Sequence, residues 1–179
     1  MKKIFAPMLA KLGITQALAP TPAQHPKDVA AGLRSMVLGL SPTDIGITPQ
    51  SFPHQVWGIV METGMKAGYY TLATLADGTT SLYFSNGGGI IGAGEKPEVR
   101  EVSQQFIGWA NRFAESSEPL ASLQPPSLGN TKFFFLTFNG VRSYSAPEIE
   151  LGEKRDGLAS LFHAGHAVIA ALRQAQAKA

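Results

Sequence analysis

An α+β domain, with helices packed against a mainly antiparallel five-stranded sheet, is the fold class this sequence predicts. Two dipeptides carry much of that expectation. Asp77-Gly78 and Asn139-Gly140 each stand between runs of β-forming residues, and a two-residue type I′ hairpin turn demands residues that tolerate positive φ at both central positions. The third observation is apolar spacing of helical period before, between and after the strand runs. The predicted order is α-βββ-α-ββ-α, with the helices covering one face of the sheet.

In chain order, residues 1–26 are an N-terminal arm and linker, and residues 27–179 form the single domain. In the arm, Ile4, Phe5, Met8, Leu9 and Leu12 fall on one arc of a helical wheel, with Lys2, Lys3 and Lys11 outside it. The expected role is a helix that docks on its own domain or on a second subunit. Ala19-Pro20-Thr21-Pro22 then marks the linker.

Val29, Leu33, Met36, Val37 and Leu40 recur at helical spacing over residues 27–40, after Pro26 and with Asp28 in the first turn. Ser41-Pro42 ends that helix, and Pro49 and Pro53 mark residues 43–54 as an ordered loop. Strands are predicted at 56–63, 69–76 and 79–84, the first two joined through residues 64–68. A helix over 97–114 starts on Pro97, with Glu98 and Glu101 near its positive end. Its buried stripe is Val99, Val102, Phe106, Ala110 and Phe113, with Trp109 on the flank. Residues 115–131 form a Ser/Pro-rich connection. The strand over 132–138 scarcely alternates, which predicts cover on both faces, and Asn139-Gly140 leads into the strand over 141–145. The last helix spans 158–174, and Gly165 on its buried face permits close approach to the sheet. No internal repeat is visible.

Composition bounds the partners. The chain has 179 residues, 44% hydrophobic and only 16% charged, with 19 Gly, 12 Pro and no Cys. The lack of cysteine excludes disulfides, thiolate metal sites and a cysteine nucleophile, and it fits a reducing compartment. The net charge of +2 comes from basic residues scattered between Lys2 and Lys178. Nucleic-acid binders concentrate such charge on one face, so no nucleic-acid partner is expected. Lys2-Lys3 before an apolar stretch and Ala17-Leu18-Ala19 superficially resemble a secretory signal. Pro7 and Lys11 interrupt the apolar segment, however, and Pro20 would follow the cut. No stretch approaches the ~20 apolar residues of a membrane span, so no membrane partner is expected, and the expected location is the cytoplasm.

Two stretches invite chemistry. Gly87, Gly89 and Gly92 satisfy G-x-G-x-x-G directly after a strand, which is dinucleotide-binding context. That motif needs a helix starting inside the glycine run to meet the pyrophosphate. Gly92, Gly94 and Pro97 oppose such a start, and the strand before it follows a tight hairpin rather than lying parallel. The expected role is a kink or bulge with Ile90 and Ile91 continuing into the core. The alternative is an anion- or nucleotide-binding loop of Asn86, Gly87, Gly88, Gly89, Gly92 and Gly94, acting through backbone N–H groups. In the second stretch, His163 and His166 stand three apart on a helix and can share a metal, with Glu153 or Asp156 as a third ligand of a metal-dependent hydrolase. A pair of surface histidines is the plainer explanation. Neither G-x-S-x-G nor S-x-x-K occurs, so no catalytic residue is assigned. Glu62, Glu95 and Glu98 are most simply exposed strand and helix-start residues. No cofactor is implied.

At Leu75-Ala76-Asp77-Gly78-Thr79-Thr80-Ser81-Leu82-Tyr83-Phe84-Ser85 and at Leu161-Phe162-His163-Ala164-Gly165-His166, the chain resembles a group of bacterial proteins of unknown function, over about residues 27–175. The resemblance implies a bacterial origin and no particular activity. The element order is also similar to that of roadblock and profilin-like domains, which set a five-stranded antiparallel sheet between helices. Those domains place two strands before the central helix and three after, the reverse of this chain. The functional expectation is a non-enzymatic binding or scaffolding module, a homodimer or a partner of another protein, contacting through the glycine-rich loop and the N-terminal arm.

Overall fold

The computed structural model describes residues 25–178, so the expectation of an amphipathic helix in the N-terminal arm lies outside the described residues. The described chain runs α1 (Pro26–Leu38), β1 (Val56–Met65), β2 (Gly68–Leu75), β3 (Thr80–Phe84), β4 (Gly89–Ile91), α2 (Pro97–Phe113), β5 (Glu118–Pro119), β6 (Asn130–Thr137), β7 (Gly140–Pro147), α3 (Glu148–Gly152) and α4 (Ala159–Ala177). Single 3-10 turns fill Pro42–Ile45, Ala93–Glu95 and Ala114–Ser116.

Among the described residues the sheet has seven strands rather than five, in the order β4-β3-β2-β1-β6-β7-β5, and every neighbouring pair is antiparallel. The two extra strands lie at the edges. β4 emerges from the glycine-rich run, and β5 is a two-residue strand in the Ser/Pro-rich connection. Both are too short to show a period of two. Pro119 suits an edge, since it has no N–H to give a further strand.

Both predicted reversals occur, with a different turn geometry. Type I′ would place Asp77 and Asn139 at positive φ, but only Gly78 (93°) and Gly140 (106°) take that sign. At the first turn, Gly78 N–H donates to Leu75 O (3.0 Å) and Leu75 N–H to Thr79 O (2.9 Å). Three residues thus form the tip, a type I turn followed by a left-handed glycine, which gives the same right-handed twist. Asp77 stabilises it by accepting from Thr79 N–H and Thr79 Oγ1, both at 2.9 Å. The β3–β4 turn has the same form: Gly87 N–H donates to Phe84 O (2.9 Å) and Phe84 N–H to Gly88 O (3.1 Å). At β1–β2 the register pairs Met65 with Gly68, so the expected five-residue connection shrinks to a tip of Lys66 and Ala67.

Helices cover both faces of the sheet, not one. On the first face, α2 and α4 bury Val99, Phe106, Ala110, Leu161 and Leu172 against Ile59, Met61, Leu72, Leu82, Phe133 and Phe135. Gly165 makes the predicted close approach: a Cβ there would stand 2.8 Å from Met61 Sδ. On the second face, Val37, Leu38 and Ile45 cover Trp57, Val60, Ala73, Leu75, Phe134 and Leu136, while Ala30 and Leu33 rest on Tyr83. The physical cause lies in β1 and β6. Both carry a run of apolar side chains that point to alternate sides, Ile59-Val60-Met61 and Phe133-Phe134-Phe135-Leu136, so each face must find a cover. The α2 stripe also departs from expectation at two places. Ser103 and Ile107 are buried, whereas Val102 and Phe113 are only half-buried.

The second layer is completed by a strap, residues 120–129. It leaves β5 with Leu120 N–H donating to Val141 O (3.1 Å), and it reaches β1 where Gly129 N–H donates to Gly64 O (3.2 Å). Gly64 is needed there because a Cβ would meet the Ser127 carbonyl.

Candidate functional site

Glu62 lies at the middle of the second face, on the central strand, and is wholly buried. This overturns the expectation of an exposed strand residue. An isolated buried carboxylate is very costly, so partners must surround it. Arg34 on α1 supplies them bidentately, Nε to Oε1 at 2.7 Å and Nη2 to Oε2 at 3.0 Å. Thr71 on β2 donates its hydroxyl to Oε1 at 2.8 Å. The Arg34 guanidinium also reaches the strap, where Nη2 donates to Leu123 O at 2.6 Å. Its Cζ lies 5.6 Å from the Tyr69 ring centre and 5.7 Å from that of Phe134, distances at which a cation is attracted to the ring face.

Lys132 on β6 pairs in register with Glu62. Its ammonium lies 4.9 Å from the Phe134 ring centre and donates to the strap carbonyls of Ser122 (2.6 Å) and Gln124 (3.3 Å). Two cations thus hold α1 and the strap together over one carboxylate. Burial works against the Arg34 charge, but the Glu62 hydrogen bonds and charge outweigh it and hold the guanidinium pKa above its ordinary value. Burial pushes Lys132 down, partly opposed by Glu62 and reinforced by Arg34. Tyr69 and Tyr83 are both pushed up, chiefly by burial.

Beside this cluster a cleft opens between α1 and the β2–β3 hairpin, lined by Leu33, Val37, Leu75, Ser81 and Tyr83 among others. It has room for about one water molecule. Ser81 Oγ is buried without a hydrogen-bond partner among the described residues, and the buried Tyr83 hydroxyl interacts with Thr71.

The glycine-rich run is a hairpin rather than the expected kink or bulge. It forms the β3–β4 hairpin, with Asn86 exposed at the tip. Ile90 is half-buried against the first core, but Ile91 is 44% exposed and does not continue into it. Gly87, Gly89 and Gly94 are packing positions. A Cβ at these would stand 2.6 Å from Pro26 Cβ, 2.4 Å from Leu82 O and 1.8 Å from Gly78 O respectively. Gly88 and Gly92 have positive φ and face open space. The run ends in the 3-10 turn Ala93–Glu95, and Lys96 separates it from α2, so no α-helix begins within it.

His163 is exposed and His166 half-buried. His166 packs on Phe162 (ring centres 4.4 Å apart), and its Nε2 lies 3.4 Å from the Tyr70 hydroxyl. Burial lowers its pKa, and His163 and Arg173 lower it further. Asp156 accepts from the Tyr144 hydroxyl (2.8 Å) and from Leu158 N–H (2.7 Å), and Glu153 pairs with Arg155. Among the described residues no three His, Asp or Glu side chains group closely enough to hold a metal. Glu95 and Glu98 are exposed, as expected.

The residues that sequence reasoning missed are Arg34, Thr71, Lys132, Tyr69 and Tyr83. The available signal was Glu62 itself, an acid directly after Ile59-Val60-Met61 in a strand whose neighbours are apolar. Fold and site together define a three-layer α+β protein with an antiparallel sheet, whose second layer is gathered over one buried ion pair. Comparison with protein-family models, with curated proteins and with solved structures finds no match. No helix among the described residues is long and apolar enough to cross a membrane.

Proposed function

We propose that this chain is a non-enzymatic binding or scaffolding module that engages a protein partner, or a second copy of itself, through the second layer of the sheet. The observation that carries this reading is where the large exposed apolar side chains stand. Leu123 (52% exposed) and Leu128 (63%) are on the strap, and Ile149 (59%) is at the start of α3. Leu128 and Ile149 flank the hydrogen bond from Glu148 N–H to Gly129 O (2.9 Å), so they stand at one end of the sheet. Single exposed apolar side chains are ordinary, Ile91 (44%) on edge strand β4 among them, but two on the pinned strap with a third beside its end mark an interaction surface. The strap is held largely by hydrogen bonds to its backbone, and apart from Leu120, Pro125 and Pro126 its side chains are exposed and free for contact.

The test is size-exclusion chromatography with light scattering and partner capture, using the full chain and a Leu128→Glu/Ile149→Glu variant. The wild type is expected to associate, and the variant to lose association at unchanged melting temperature. A wild type that is strictly monomeric, and captures nothing that the variant loses, overturns the reading.

A further inference from the structure

The Glu62 cluster has the make-up of a receptor for a guanidinium group, and in the free chain that group comes from α1. A planar cation with several N–H donors is best met by a carboxylate held for bidentate contact, a carbonyl at its outer edge and aromatic faces beside it. Glu62, Leu123 O, Tyr69 and Phe134 supply those parts around Arg34. Thr71 fixes the carboxylate from below. An ammonium would use this arrangement poorly, since it lacks the fork. The Arg34 side chain retains 12% exposure, so the site lies at the seam between α1 and the strap and opens towards solvent.

What holds Arg34 in this site is a thin cover. Helix α1 buries only Ala30, Leu33, Val37 and Leu38. Between it and the sheet remain the cleft and two buried hydroxyls, Ser81 Oγ without a partner among the described residues and Tyr83 Oη interacting with Thr71. The unpartnered Ser81 hydroxyl is a penalty that the docked helix leaves uncorrected. A ligand that presents arginine and also satisfies that hydroxyl would fit the same face better than α1 does.

We propose that this face is an arginine-recognition site, occupied in the free chain by Arg34 and made available to an arginine side chain of a protein partner when α1 lifts. This deepens the binding function proposed above and rests on it: α1 acts as an internal stand-in for the partner, and partner affinity is reduced by the fraction of time the helix is docked.

The test begins with Arg34→Ala in the full chain, which removes the native guanidinium and leaves Glu62, Thr71, Tyr69 and Phe134 in place. Methylguanidinium at about 20 mM is expected to raise the variant's melting temperature by about 2 °C or more, increasing with concentration as mass action requires. Methylammonium at the same concentration is expected to do nothing, and the Arg34→Ala/Glu62→Gln variant to respond to neither. No response to methylguanidinium, or an equal response to methylammonium, overturns the proposal. The wild type supplies a measurement that does not depend on the variant folding. Amides of α1 are expected to exchange with deuterium at least about tenfold faster than those of β1 and β6, through an opening short of global unfolding. Equal protection would mean that α1 leaves only when the whole chain unfolds, and would also overturn the proposal. Rescue and exchange report on the site, whereas partner capture reports on the module, so either reading can fail alone.

Discussion

Glu62 and His166 are polar groups brought into apolar surroundings, and they are accommodated in opposite ways. Glu62 keeps a cationic partner at bidentate distance and a hydroxyl donor below it. Such a pair contributes little net stability compared with apolar residues of the same shape, yet breaking it is expensive, because the remaining charge stays buried. Glu62→Gln is therefore expected to destabilise the chain by about 3–5 kcal/mol, read as a fall in the urea midpoint with α1 losing protection first. His166 packs on Phe162 and Tyr70, and burial, then the charges of His163 and Arg173, hold its pKa below the ordinary 6.5. The unfolded chain then takes up a proton before the folded one as pH falls. This group's contribution is fully present above about pH 6.5 and declines below it, through the lowered folded value. Urea unfolding between about pH 8 and pH 5 should show a loss in the wild type that is smaller in His166→Phe. An identical pH dependence in both chains would refute this.

At the scale of elements, the hairpin glycines separate into two physical kinds. Gly88 is required by its backbone alone, with φ of 82° and open space around it. Gly94 has an ordinary φ, but it lies against the Asp77–Gly78 turn, where a Cβ would stand 1.8 Å from a backbone oxygen. Gly88→Ala is expected to cost about 1–2 kcal/mol from left-handed strain. Gly94→Ala should cost more, because two turns must move apart. Thermal melts of the two variants give the order directly, and the reverse order would contradict this account of the loop. Strand β1 shows a related economy at its bulge. Asn111 of α2 accepts from Val56 N–H (2.8 Å) and donates to Val56 O (3.0 Å), so an amide side chain replaces a missing ladder partner exactly where the register shifts between Val56 and Gly58.

Across the whole molecule the two layers differ in kind. The first is a broad apolar core in which Phe106 is fully buried between α4 and the sheet. The second is narrower and depends on polar fastening. Phe106→Ala should cost about 3–5 kcal/mol and weaken the entire cooperative transition, as large core truncations do. Leu33→Ala on α1 should cost less, near the lower end of the 2–5 kcal/mol range for leucine, with increased exchange confined to α1 and the strap. Uniform loss of protection in Leu33→Ala would show that the layers do not separate.

The sequence by itself determined the two predicted reversals, the placement of α1, α2 and α4 within a few residues, the two-sided burial of β6 and the close approach at Gly165. All of these depend on preferences a few residues long: positive φ at a glycine, a period of 3.6, an uninterrupted apolar run. Only the tertiary structure decided that helices lie on both faces, that β4 and β5 extend the sheet to seven strands, and that Glu62 is buried. Arg34 meets Glu62 across 28 positions and Leu123 across 89. Contacts of that separation follow from strand order and layer stacking, which no local preference encodes, and two- or three-residue edge strands are too short for any period to register.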